Sequence, residues 1–373
     1  MPAPFHWHPS TRLIAPDPDL IALRDAVRDG HGLRCGRGGV TSLEEPGLLC
    51  ETSGSSGAPK VIRRTAASWQ ASFAVNGPAL FLDRQSCVAV FSGFGASLAL
   101  YGALEGAHHG AGILSLAHTP PTGWADRLAT ARATTLYITP TQLALVCRTG
   151  RPLPDVRHIL VGGGDLPEAT AAVAQALCPA ARLVQFYGAA ETSFMTWTDA
   201  DTPKGSVGRA YPGVTLTLDA DGLIWVRSPY LFDGYAAGDS AQTRRSDAGL
   251  TIGEVGRTDA AGNLFILGRR SRMVGVADHN VFPEAAEACL ARLLQGADLA
   301  VVPVPDARRG MRLVACIAGH PGSVDADDLL RRCRAALGPH AAPHRILWLA
   351  TLPLLPSGKP DLPAIAAIAR SRA

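Results

Sequence analysis

The sequence predicts an α/β protein with a large N-terminal α/β domain and a small α+β domain after it. Three observations carry this. Short apolar, strand-like runs alternate with helical patterns between about residues 87 and 186, which argues for βαβ units and a parallel sheet. Near residue 205 the pattern changes to period-two alternation. At Gly268-Arg269-Arg270-Ser271-Arg272 glycine and charge break the pattern, and a short mixed segment follows. The boundary is therefore expected at about Arg269, giving domains 1–268 and 269–373. At roughly 100–200 residues per domain, 373 residues suit two or three.

Residues 1–47 are rich in Pro, Gly and Arg and read as an abbreviated lead-in with one helix near Leu20–Val27. The expected strands are Cys87–Phe91, Gly112–Leu116, Thr135–Thr139, His158–Val161 and Leu183–Phe186. Between the last two, Asp165 is placed to cap a helix, with Pro167 in its first turn and Glu168 as capping-box partner. Val214–Leu218 alternates, Asp221-Gly222 turns the chain, and Leu223–Arg227 returns, which predicts a hairpin. A second hairpin is expected at Leu264–Leu267. Pro283 opens a helix with Glu284 and Glu287 near its start, Leu290, Leu293 and Leu294 on one face, and Gly296 as its stop. Strands Ala300–Val304 and Leu313–Ile317 follow. Ser323 is placed to cap a last long helix, which ends at Gly338.

Hydrophobic residues are 47% and charged residues 18%, enough apolar material for a sizeable core. The balance of 35 basic and 32 acidic residues, net +3, carries no sign of nucleic-acid or membrane binding. Pairs such as Arg63–Arg64 and Arg331–Arg332 are expected on solvated faces. None of the eight cysteines stands in a C-x-x-C pair, which argues against a zinc ribbon, and free thiols suit a reducing compartment. The first residues, MPAPFHWHPSTR, lack the basic start and apolar core of a secretory signal. No run of ~18 apolar residues exists to cross a bilayer. The expected location is the cytoplasm.

The strongest local signal is Thr52-Ser-Gly-Ser-Ser-Gly-Ala-Pro-Lys60. Gly54 and Gly57 free the backbone to aim N–H groups at an anion. Thr52, Ser53, Ser55 and Ser56 add hydroxyl donors, and Lys60 adds charge. A Gly/Ser linker has a similar composition, but Pro59-Lys60 and the apolar Leu48–Leu49 before the loop argue for a built element. It is not a Walker loop, since G-x-x-x-x-G-K-[ST] is absent.

Further motifs follow in a set order: Ile138-Thr-Pro-Thr-Gln-Leu143, Val161-Gly-Gly-Gly-Asp165, Phe186-Tyr-Gly-Ala-Ala-Glu-Thr192, Ser206-Val-Gly-Arg-Ala-Tyr-Pro-Gly213, Gly268-Arg269 and Pro356-Ser-Gly-Lys-Pro-Asp361. With the Thr52–Lys60 loop, this series over residues 48–368 resembles the adenylate-forming superfamily of acyl-CoA synthetases, peptide-synthetase adenylation domains and luciferases. The resemblance implies an adenylate-forming fold and ATP- and Mg²⁺-dependent activation of a carboxylic acid as acyl-AMP. Transfer to a phosphopantetheine thiol would follow, with CoA or an acyl-carrier protein as acceptor. The small domain would swing on its hinge. Glu191 would supply an oxygen to Mg²⁺ and Thr192 would donate to the α-phosphate. Tyr187 and Gly188 would lie against adenine opposite Gly162, Gly163 and Gly164. Glu254 would hold the ribose hydroxyls beside Arg269 at the hinge, and Lys359 would bridge the carboxylate and the α-phosphate. The acid pocket would be lined by Phe91, Gly93, Phe94, Gly95 and Ala189, which suits an aryl or medium-length apolar acid.

Four departures from the family pattern matter. The stretch before Thr52 is short, as in the shorter o-succinylbenzoate–CoA ligases, and its exposed face would suit a homodimer. Glu254 replaces the family's ribose-binding Asp. Ala190 replaces a Ser or Thr. After the hinge, Ser271 replaces the family's acid, Gly275 its lysine, and Asp278 a glycine in the region that lines the thiol tunnel. Adenylation is thus better supported than transfer to CoA. The alternatives are an acid–carrier-protein ligase and a non-catalytic nucleotide- or acyl-binding homologue.

Overall fold

A computed structural model describes the chain except residues 1–3, 16, 53–59, 295–296, 323, 356–358 and 373. Its centre is an eight-stranded sheet in the order Arg12–Ile14, Gly112–Ser115, Cys87–Val90, Thr135–Ile138, His158–Val161, Arg182–Ala189, Ser193–Trp197 and Arg209–Ala210. The first six strands are parallel. Every residue of the four strands Cys87–Val90, Gly112–Ser115, Thr135–Ile138 and His158–Val161 is buried. That is the pattern of strands covered by helices on both faces. The last two strands join antiparallel.

Around this sheet lie a five-stranded sheet, which contains Leu48–Thr52 and Lys60–Arg64, and a four-stranded one. The four-stranded sheet includes the expected hairpin, Thr215–Leu218 paired with Ile224–Arg227. The second hairpin pairs Leu264–Arg269 with the preceding Glu254–Thr258.

Beyond the Arg270–Arg272 turn the chain forms separate cores. A three-stranded sheet of Leu299–Asp306, Gly310–Ala318 and Arg345–Leu349 carries helices Pro283–Leu294 and Ala326–Ala341 on one face and Leu362–Ser371 on the other. Alternation sorts the faces. Val301, Leu313 and Ala315 meet the first pair of helices, while Ala300, Val302 and Val314 meet the last helix. Among the described residues no helix is long and apolar enough to cross a membrane.

The helix expected near Leu20–Val27 is present, and two later helix starts differ from expectation. The first helix runs Pro18–Arg28, and the Asp17 carboxylate accepts from the Leu20 amide. The helix expected from Asp165 begins at Glu168. Pro167 sits at its cap with extended backbone, and no side-chain cap bond forms. A proline biases the residue before it away from the helical region, so Leu166 and Asp165 stay outside. The long helix of the small domain is capped by Asp325, which accepts from the amides of Asp327 and Asp328. Ser323, the expected cap, lies outside the described residues. Gly338, with φ 78°, kinks that helix, and the chain resumes one turn to Ala341.

Candidate active site

The Arg182–Ala189 strand ends in a tight turn that returns as Ser193–Trp197. A Cβ at Gly188 would lie 1.8 Å from the Ser193 carbonyl oxygen, so only glycine allows this approach. Thr192 corrects an expectation. It is fully buried; its hydroxyl accepts from the Ala189 amide at 3.0 Å and donates to the Ser193 carbonyl at 3.3 Å. The turn itself engages this hydroxyl, so it does not face a phosphate.

Glu191 is only partly buried. Its carboxylate accepts from the Tyr235 hydroxyl at 2.9 Å, and that hydroxyl also lies 2.9 Å from Thr243 Oγ1. Lys60 Nζ sits 5.5 Å from the Tyr235 ring centre. Thr52 and Lys60 pair across two antiparallel strands at the base of the glycine-rich loop. Ser53, Gly54, Ser55, Ser56 and Gly57 lie outside the described residues.

On the next wall the Tyr187 hydroxyl donates to Glu254, and Arg269 Nε lies 3.9 Å from the same carboxylate. Burial raises the Glu254 pKa, against Tyr187 and Arg269, which stabilise its anion. Burial and then the Glu254 charge push the Tyr187 hydroxyl upward. The structure brings Tyr187, Glu254 and Arg269 together. The glycines divide. A Cβ on buried Gly162 would lie 2.2 Å from the Phe186 ring, so its close neighbour is a protein ring and not a ligand. Gly163, at φ 87°, and Gly164 are exposed.

Lys359 comes from the small domain, and residues 356–358 before it lie outside the described residues. Its carbonyl accepts from the Leu355 amide at 2.8 Å. Desolvation lowers the ammonium pKa first, then the Arg269 charge, while Glu191 opposes both. The Arg269 and Glu191 charges thus act on the ammonium in opposite senses.

The expected acid pocket is corrected in part. Phe91 is 4% exposed and packs edge-on against Trp124 at 5.1 Å; Phe94 is 1% exposed. Both rings are core. A Cβ on Gly95 would meet the Gly36 carbonyl at 2.7 Å, so that glycine serves backbone packing. Gly93 has open space beside it, and Ala189 is partly exposed. Ser92 Oγ accepts from the Gln142 amide at 2.7 Å, and Gln142 also completes a capping box with Thr139. This ties the Phe91–Ser97 segment to the Ile138–Leu143 motif. Asp278 is exposed in the turn of the Val274–Val281 hairpin, with φ 65°.

Sequence reasoning missed two residues here. Tyr235 gave no motif by itself. Arg64 was expected on a solvated face but is 1% exposed. The signal was strand period: Ile62 and Arg64 share one face of Lys60–Arg64, and Arg63 takes the other.

A second recess, of about 330 Å³, lies in the small domain and is lined by Arg309, Arg312, Arg334, His340 and His344 among others. Among the described residues Arg312 Nε and His340 Nδ1 are buried there without a hydrogen-bond partner.

Comparison with known proteins agrees with this geometry. Residues 38–236, more than half of the chain, match the family model for AMP-binding enzymes, and residues 285–359 match that for the C-terminal domain of the same enzymes. An uncharacterised acyl–CoA ligase of Bacillus subtilis, YhfT, is 29% identical over 88% of this chain and 68% of its own length. A 2-succinylbenzoate–CoA ligase of Listeria monocytogenes is 30% identical over 55% of this chain and 44% of its own length. The o-succinylbenzoate CoA synthetase of Bacillus subtilis, solved with its acyl-adenylate intermediate, superposes with a TM-score of 0.75 at 22% identity, covering 85% of this chain and 68% of that one. The chain spans about two thirds or less of the length of the curated relatives it matches. On the family matches, the chain belongs to the AMP-binding enzymes of the adenylate-forming superfamily.

Proposed function

We propose that this protein uses ATP and Mg²⁺ to activate a carboxylic acid as acyl-AMP and then transfers the acyl group to the thiol of CoA. The observation that carries this is the match of residues 38–236 and 285–359 to the two domains of the AMP-binding enzymes; the charges of Arg269 and Glu191 also act on the Lys359 ammonium, after burial. A carboxylate oxygen of the acid attacks the α-phosphorus. The bond from that phosphorus to the bridging oxygen breaks, and pyrophosphate leaves with the electron pair. Positioning and electrostatic stabilisation supply the catalysis. Lys359 holds its positive charge between the carboxylate and the α-phosphate. Glu254 and Arg269 orient the ribose, and the Tyr187 ring backs the adenine.

The site fits Mg²⁺. Among the described residues no group of three His, Cys, Asp or Glu side chains could hold a metal, and Glu191 offers one carboxylate with a single side-chain hydrogen bond. One or two carboxylates plus substrate phosphates are what Mg²⁺ takes in nucleotide sites. When bound, the ion neutralises charge on the phosphates.

In the second step the thiol sulfur adds to the acyl carbonyl carbon and the acyl–phosphate bond breaks. AMP leaves with the electron pair, and the thiol proton passes to solvent. The arginine- and histidine-lined recess, with its two unpartnered nitrogens, suits the phosphates of free CoA; this favours CoA over a carrier protein. The hinge is placed at about Arg269, with 1–268 and 269–373 as the moving bodies. Gly93 and Ala189 leave an uncharged opening, so an aryl or medium apolar acid is the proposed substrate. All eight cysteines are unpaired, which fits a reducing compartment and a cytoplasmic location.

The test is pyrophosphate release with ATP, Mg²⁺ and a panel of aryl and fatty acids. Acid-dependent release should fall about 10²–10³-fold in Lys359→Ala. Release that is equal in the two proteins would sink the assignment. Turnover with a holo carrier protein but not with CoA would overturn the acceptor.

A further inference from the structure

Arg64 is among the largest fully buried side chains of the molecule, and nothing in the mechanism above uses it. It ends the Lys60–Arg64 strand, which leaves the glycine-rich loop. Its Nη2 donates to the Ala190 carbonyl at 2.7 Å. Its Nη1 donates to the Tyr230 carbonyl at 2.6 Å and to Ser68 Oγ at 3.0 Å. The guanidinium lies 5.3 Å from the Trp69 ring centre, and Trp69 Nε1 in turn donates to Ser193 Oγ at 3.1 Å. Nε has no partner. Among the described residues no carboxylate forms an ion pair with it. Burial lowers its pKa to about 10, with Asp233 and Glu191 among the groups that resist, so it is a cation at neutral pH.

A buried cation held mainly by main-chain carbonyls is costly unless those bonds are well made. The two carbonyls it holds belong to the two segments that flank the Glu191 carboxylate. Ala190 immediately precedes Glu191. Tyr230 opens the stretch in which the Phe232 amide donates to the Glu191 carbonyl at 2.9 Å and the Tyr235 hydroxyl donates to its carboxylate at 2.9 Å. One rigid planar fork thus fixes both segments at once. A lysine, with its single ammonium on a flexible stem, cannot reproduce that geometry in full.

We propose that Arg64 is a positioning residue that sets the Glu191 carboxylate for Mg²⁺–nucleotide binding. It acts through the Ala190 and Tyr230 carbonyls and does not touch the substrate. The inference rests on the reading of Glu191 as the Mg²⁺ ligand, so the experiment tests the two separately. The Mg²⁺ dependence of ATP binding and of acid-dependent pyrophosphate exchange is measured for wild type, Arg64→Met, Arg64→Lys, Glu191→Gln and the Arg64→Met/Glu191→Gln double variant. All proteins are full length and checked for folding by circular dichroism.

The expected result is a rise of tenfold or more in half-saturating Mg²⁺ for Arg64→Met, with the KM for the acid moving less than twofold. Arg64→Lys should recover part of the loss, and the double variant should add little to Glu191→Gln. Should Arg64→Met not fold, Arg64→Lys carries the same comparison. A folded variant with wild-type Mg²⁺ dependence would overturn the proposal. So would Mg²⁺ half-saturation and acid KM rising together, which is the mark of a structural role alone. If Glu191→Gln itself leaves the Mg²⁺ dependence unchanged, the metal reading of Glu191 falls and the role of Arg64 falls with it.

Discussion

Glu105 shows how a single buried carboxyl can shape the pH response of the whole chain. It is fully buried on the Ser97–His109 helix. Tyr137, Tyr101 and Asn76 all donate to it, the last at 3.0 Å, and Tyr211 extends the network by donating to Asn76 Oδ1 at 2.7 Å. Desolvation outweighs those three donors and pushes its pKa up to about 7. The sign follows from linkage. Below an ordinary glutamate pKa of about 4.5 both folded and unfolded chains hold the proton, so the carboxyl has no effect. As pH rises from there to about 7 the unfolded chain loses its proton first, and stability falls with pH; above about 7 the penalty is constant. The full penalty is on the order of 3 kcal/mol. Glu105→Gln should remove that slope, seen as a flatter dependence of the urea midpoint on pH between 4.5 and 7. A slope equal to that of wild type would assign the pH dependence to other groups.

At the scale of elements, the small domain depends on one charged staple. Arg272 donates to both oxygens of Glu287, at 2.9 and 2.7 Å, and to the Val301 carbonyl at 3.1 Å, while the Val301 amide donates back to Glu287 at 2.9 Å. The pair joins the Arg270–Arg272 turn, the Pro283–Leu294 helix and the Leu299–Asp306 strand. Both side chains are about four-fifths buried, so screening by water is modest. Arg272→Ala would leave a largely buried carboxylate with its main charge partner gone, at a cost of about 2–3 kcal/mol. Amide exchange at Val301 should accelerate by about 30- to 150-fold relative to the central sheet; uniform acceleration throughout the chain would show that the staple is not local. Elements of this kind were legible unevenly in the sequence. The parallel strands and the hairpin at Asp221-Gly222 were readable because hydrophobic period and turn chemistry are local. The start of the Glu168–Leu177 helix was misplaced because Asp165, Pro167 and Glu168 spell a capping box that the extended Pro167 backbone prevents. Thr192 and Phe91 were misassigned for a different reason. A motif gives a residue's place in the chain, but whether its side chain faces a ligand or the core depends on neighbours far away in sequence. Arg64 and Tyr235 stayed hidden on the same ground, since the partners Ala190, Tyr230 and Glu191 lie in turns far away in the sequence.

At the scale of the whole molecule, the proposed adenylating arrangement draws charge from both domains to one place. Lys359 belongs to the small domain, Glu191 to the large one, and Arg269 immediately precedes the Arg270–Arg272 turn between them. The lysine is drawn below its ordinary value of 10.5 by burial, then by the Arg269 charge, with Glu191 opposing. In the proposed role Lys359 is a cation between two anions, so adenylation should fail as it loses its proton. The alkaline limb of acid-dependent pyrophosphate exchange at saturating ATP should therefore lie below 10.5. Arg269→Gln removes a like charge from beside the ammonium and should move that limb to higher pH, whereas Glu191→Gln removes an opposite charge and should move it lower. Arg269→Gln should also weaken ATP binding, because Arg269 sits beside Glu254; saturating nucleotide separates that loss from the shift of the limb. A limb that stays in place in both variants would mean that the small domain does not hold Lys359 between these charges when the reaction occurs, and that the pose described is not the adenylating one.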